Sequence, residues 1–148
     1  MQPKTKLLLL TSIIIMVVLF ACKKDEHPKT KSELLTTGQW KMTSFTVSPP
    51  TDLDGDGIVD SDIFSTYDAC LKDDYYVFKN NGTMDINEGP TKCNPSDPQV
   101  ETVNWAFVNG EKEIDIDGDR STILELTSTR FHITVPFANS VGDIVFSK

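Results

Sequence analysis

Beyond residue 40 the apolar side chains recur at every second position in a series of short runs, each bounded by glycine, asparagine, serine or aspartate. That two-residue period predicts strands with one buried face. Trp40 to Val47 opens the series; Trp40 and Met42 share one parity and Phe45 and Val47 the other, which predicts a bulge near Thr43 and Ser44. Tyr75 to Lys79 and Thr83 to Asn87 flank Asn81-Gly82, a hairpin dipeptide in which both positions tolerate positive φ. Thr102 to Val108 and Lys112 to Ile116 flank Asn109-Gly110 in the same way, with Val103, Trp105 and Phe107 alternating inward. Thr122 to Thr127 and Arg130 to Pro136 meet at Ser128-Thr129, with Phe131, Ile133 and Val135 inward, and Asp143 to Ser147 ends the chain with Ile144 and Phe146. Only a helical turn or two near Ser61 to Ala69 interrupts the strands. The fold class is therefore all-β. Eight strands joined by hairpins leave two exposed edges unless the sheet closes, so the pattern predicts an antiparallel up-and-down barrel.

The N-terminus follows a different pattern. Lys4 and Lys6 precede an apolar run from Leu7 to Phe20 (LLLLTSIIIMVVLF), then Ala21 and Cys22. A helix of that length reaches ~21 Å, short of a hydrocarbon core ~30 Å thick, and reads as a secretory signal. LFAC resembles a bacterial lipobox, which implies that Cys22 takes diacylglycerol and an acyl chain of the palmitate kind and becomes the first mature residue. The other reading is an ordinary signal peptide with an incidental cysteine. KKDEHPKTK then reads as a flexible tether, and its Lys24-Asp25-Glu26 resembles the signal that sends some lipoproteins to the cell surface. The expected division is residues 1–21 signal peptide, 22–33 tether and 34–148 barrel domain, on an outer-membrane lipoprotein of the cell envelope that faces either the cell surface or the periplasm.

Charge then excludes partners. Removing Lys4 and Lys6 from the 14 basic residues leaves twelve against 22 acidic ones, a net charge of about −10. Such a field repels a phosphate backbone and anionic lipid alike, so nucleic acid is no partner and the membrane contact falls to the lipid on Cys22. With Cys22 lipidated, Cys70 and Cys93 remain as an even pair in an oxidising compartment, and a disulfide between them would be worth ~3 kcal/mol in the chain-entropy model. The alternative is two free buried thiols. The spacing supports neither a CxxC centre nor zinc, and the histidines are His27, in the tether, and His132.

Gly38-Gln39-Trp40 at the head of the first strand matches the GxW of lipocalins. Residues 34–148 resemble the small lipocalin-like lipoproteins of Bacteroidota, through GQW, the DGDG loop running into Asp62-Ile63, Cys70 with Lys72-Asp73-Asp74, FKNNGT, Cys93, VNWAF and ILELTSTRFHITV. The resemblance implies an eight-stranded lipocalin-like barrel whose tryptophan plugs one end under an arginine. Arg120 and Arg130 are the arginines available, and Arg130 is the better placed. The family has no settled activity to carry over.

Residues 52–62 read DLDGDGIVDSD. Numbered from Asp52, the loop follows a calcium pattern with Asp52, Asp54, Asp56, a carbonyl from Ile58, and Asp60, with Gly57 at the sharp turn. Ile63 then stands where the bidentate acid belongs, with Asp62 one residue early. The other reading is a polar, aspartate-rich loop. Crowded carboxylates without a counter-ion are costly, and a weak extracellular site of ~0.1 to 1 mM suffices to order the crossover, so a structural calcium is the expected cofactor and no organic one. Asp115 to Asp119 looks similar, but Arg120 replaces the turn glycine and a hairpin explains it.

Catalysis finds no support. His132 alternates with Phe131 and Ile133 and is expected at the surface, no nucleophile stands in a recognisable context, and the carboxylates read as a solvated face; the chain is expected to be no enzyme. Trp40, Tyr76, Phe78, Trp105, Phe107 and Phe131 are either the lining of a ligand cup or a packed core. Two functions follow: an interaction or structural module that docks on an envelope protein, favoured by the bulk of the inward residues, or a carrier of a small apolar ligand in the barrel mouth.

Overall fold

The computed structural model describes residues 27–52, 56–137 and 139–148. The first described helix opens with a reciprocal capping box: Glu33 N donates to Thr30 Oγ1 (3.2 Å) while Thr30 N donates to the Glu33 carboxylate (2.7 Å). Two orphan donors are satisfied at once, and helix α1 (Lys31–Thr36) follows, with Leu35 fully buried. The helix thus starts inside the stretch 22–33 read as tether.

The strands are β1 (Lys41–Thr51), β2 (Asp60–Asp62), β3 (Tyr75–Phe78), β4 (Thr83–Asn87), β5 (Val100–Val108), β6 (Glu113–Ile116), β7 (Asp119–Leu126), β8 (Arg130–Phe137) and β9 (Ser140–Ser147). Short helices α2 (Ile63–Thr66) and α3 (Ala69–Lys72) lie between β2 and β3, where a turn or two was expected. All pairs are antiparallel, in the order β2-β1-β9-β8-β7-β6-β5-β4-β3. The strand count is nine, against the eight expected. The extra strand is β2, an Asp-Ser-Asp stretch with no apolar alternation to reveal it, which pairs with β1 at Thr46↔Asp62 and Thr51↔Asp60. The other eight form the expected meander. Its ends meet where Trp40 N donates to Tyr76 O (2.9 Å) and Tyr76 N to Trp40 O (2.8 Å), which brings β3 against the foot of β1.

The register of β1 on β9 shifts between Met42 and Ser44, the bulge that the change of parity predicts. The hairpins differ in detail from expectation. In the β3–β4 turn only Gly82 has positive φ (83°), while Asn81 accepts from Thr83 N through its side chain (3.1 Å). In the β5–β6 turn Asn109, Gly110 and Glu111 all take positive φ. Asp117 and Gly118 (φ 53° and 97°) make the two-residue β6–β7 turn, so the second aspartate stretch is indeed a hairpin.

The inward side chains form two clusters. The larger, around Trp40, Trp105, Phe78, Ile114, Phe131 and Ile133, fills the lower barrel; in the smaller, Phe45 and Val47 of β1 pack with Ile63 at the head of α2. The wall is thin where β1 and β3 meet at the one Trp40–Tyr76 bridge, and its pairing is also interrupted between β7 and β8. Their pairing runs from Leu126↔Phe131 up to Thr122↔Thr134 and stops, while β7 stays paired to β6 as far as Asp119 and β8 to β9 as far as Phe137. Pro136, with no N–H to give a ladder, stands in the segment left unpaired toward β7.

Candidate functional site

All six aromatics named from the sequence converge in the lower barrel, mostly edge to face. Ring centroids are 5.3 Å apart for Phe107 and Trp105, 5.5 Å for Trp105 and Phe78, 6.0 Å for Phe78 and Phe131, and 5.9 Å for Phe131 and Trp40. Phe146 stacks on Phe131 at 5.6 Å and meets Tyr76 edge-on at 5.3 Å. Offset and T-shaped contacts at these spacings are how aromatic rings fill a core. The indoles are also hydrogen-bonded: Trp105 Nε1 donates to Lys79 O (3.1 Å) and Thr83 O (3.0 Å), and Trp40 Nε1 to Leu35 O (2.8 Å), which ties α1 across the barrel floor.

The cation over Trp40 is not Arg130. Arg130 Nε pairs with Glu125 at 2.9 Å on the barrel wall, and the group over the Trp40 ring is the Lys148 ammonium, 4.1 Å from the centroid. Lys148 Nζ also donates to Leu34 O (2.8 Å), and burial, with the nearby charge of Lys29, lowers its pKa from the ordinary lysine value. A cation on the last residue of the chain could have been read from the sequence, but its reach to Trp40 depends on β9 ending beside the foot of β1.

At the opposite end the Cys70–Cys93 disulfide (Cα–Cα 5.2 Å) joins α3 to the segment between β4 and β5. Beside it Asp73, Asp74 and Glu88 come together. Asp74 is pushed up to about 6, first by burial and then by the charges of Glu88 and Asp73, and Tyr76 to about 12, first by burial and then by Asp74. Asp73 Oδ1 and Asp74 Oδ1 are buried with no hydrogen-bond partner among the described residues. Gly89 leaves room for the Asp73 carboxylate: a Cβ there would lie 2.4 Å from Asp73 Oδ1. Nothing in the chain's pattern beyond the adjacent acids points to this cluster.

Of the calcium-pattern residues, Asp54 lies outside the described residues, as does Cys22. Asp52 Oδ2 accepts from Gly57 N (3.0 Å) and Asp56 Oδ1 from Ile58 N (2.7 Å), Asp60 opens β2, and Ile58 is exposed. Asp62 caps α2, accepting from Ser65 N (3.1 Å). Among the described residues no three acidic, histidine or cysteine side chains gather closely enough to hold a metal. His132 is on the outer face as expected, yet only 21% of its side chain is exposed, and its Nε2 lies 2.8 Å from Asp143 Oδ1 on β9.

Two cavities adjoin the open segment between β7 and β8. One of about 490 Å³ lies against Glu113, Thr122, Thr134 and Val141; the other, of about 400 Å³, against Phe45, Asp119 and Phe137. Arg120, Ser121, Val135 and Pro136 line both. No helix among the described residues is long and apolar enough to cross a membrane.

No curated protein matches the chain. The family model of the lipocalin-like domain matches residues 36–133, from the end of α1 into β8, and takes in the GxW strand, the disulfide and all six aromatics. With a curled antiparallel meander closed at its tryptophan, the chain belongs to the lipocalin-like domain family.

Proposed function

We propose that the chain is a non-catalytic lipocalin-like module of a bacterial cell envelope, anchored to the outer membrane through lipid on Cys22, whose packed barrel offers its outer face to an envelope protein. The filled interior carries this reading. Trp40, Leu35, Ile114 and Phe131 are fully buried, and the rings that would line a cup touch one another instead. The aspartate loop serves as scaffold in this reading, with calcium bound there holding the β1–β2 hairpin. Carriage of a small apolar ligand in the mouth is the second reading, favoured by the cavity of about 400 Å³ beside Phe45 and Phe137.

The test combines fractionation with indole emission. Cys22→Ala is expected to lose membrane partition and lipid labelling, and a long-chain fatty acid is expected to leave Trp40 and Trp105 emission unchanged. Equal partition of wild type and variant would refute the anchor. Saturable quenching of both indoles would refute the packed interior.

A further inference from the structure

We propose that the open segment of wall between β7 and β8 is a binding site for a small cationic amphiphile, an amine carried on an apolar body. Here β7 and β8 stop pairing above Thr122↔Thr134 although each remains paired to its other neighbour, so the wall has a seam and not a frayed end. The two cavities share Arg120, Ser121, Val135 and Pro136, one on each side of this seam, so it joins the barrel mouth to the outer surface. A volume of about 400 Å³ falls within the range of small-molecule sites.

The lining sets the ligand class. On the inner side Phe45, Phe137 and Val135 give an apolar bed, and two aromatic rings at 5.3 Å, edge to face, offer a cation a negative ring surface. Asp119 lies on the inner side and Glu113 on the outer. Arg120 is the one cation in either lining, and its Nε already faces Asp115 Oδ2 at 3.5 Å. The local balance is therefore negative, as is the whole chain. A fatty carboxylate would meet repulsion, and an ammonium would find two carboxylates with an apolar surface between them. This inference goes beyond the envelope reading and needs neither the anchor nor the partner. It places the ligand in the wall and leaves the floor packed, so its failure leaves that reading standing.

The purified chain is titrated with decylammonium, decanol and decanoate below their micellar concentrations, followed by amide chemical shifts and calorimetry. Saturable binding in the order decylammonium, decanol, decanoate is expected, with shifts centred on Ser121, Thr122, Thr134, Val135 and Phe137. Glu113→Gln with Asp119→Asn should weaken decylammonium about fivefold for each carboxylate removed, leaving decanol and the unfolding midpoint unchanged. Decanoate binding as tightly as decylammonium, shifts centred on the Trp40 and Trp105 indoles, an unchanged affinity in the double variant, or no saturable binding overturns the proposal.

Discussion

Truncating Trp105 separates a packed barrel from a hollow one. The side chain is 8% exposed, it meets Phe78 and Phe107 edge-on, and its Nε1 donates to Lys79 O and Thr83 O. Removing a large aromatic from such a site costs about 3 to 5 kcal/mol, through lost transfer energy and the cavity that remains. The hydrogen bonds add little more than about 1 kcal/mol, because both carbonyls keep a backbone donor: Gly82 N for Lys79 O and Lys79 N for Thr83 O. Trp105→Ala is therefore expected to lose about 4 to 5 kcal/mol and Trp105→Phe, which keeps most of a ring between Phe78 and Phe107, about 1 to 2 kcal/mol. Urea unfolding of both variants, followed by circular dichroism, measures the difference. With a slope of about 2 kcal/mol per molar the alanine midpoint falls by about 2 M. A loss below about 1.5 kcal/mol for Trp105→Ala at unchanged slope would show that the indole lacks neighbours on one side, as a cup wall does, and the packed reading would fail.

Other outcomes follow from the upper end of the barrel. Asp74 holds its proton more tightly folded than unfolded, so its contribution is largest at low pH and is lost as pH rises from about 4 towards the folded value of about 6. Asp74→Asn should thus exceed wild type in melting temperature above pH 6 and lose that advantage below pH 4; a constant difference across the range would refute the burial argument. Non-reducing peptide mapping is expected to recover Cys70 and Cys93 as one linked pair, and alkylation of both without reductant would contradict the structure. Millimolar calcium is expected to raise the melting temperature by mass action on the folded state, with Asp54→Ala plus Asp56→Ala abolishing the rise. Identical curves in chelator and calcium would remove the ion from the loop.

The barrel was legible because its strands bury one face and the sequence must then alternate. Val103, Trp105 and Phe107, then Phe131, Ile133 and Val135, all stand on the inner face as the alternation requires. The bulge was legible for the same reason, as a break in parity. What escaped the pattern is held by forces that leave no period. β2 is a strand through its pairing with β1, not through its own Asp-Ser-Asp. Helix α1 announced itself through Thr30 and Glu33, a capping box hidden in a charged run. Lys148 displaced Arg130 over Trp40 because tertiary register decides which cation reaches the ring. The buried oxygens of Asp73 and Asp74, and the close approach of Gly89 to Asp73, come only with the folded chain.

Because β9 pairs with β1 from Lys41↔Ser147 to Ser48↔Val141, and Lys148 lies over Trp40, the first strand waits on the ninth. Contacts of such sequence separation are made late and slowly. On the ribosome β1 emerges long before its partner, and it stays unpaired on that edge until β2 to β8 have been made and β9 has cleared the exit tunnel.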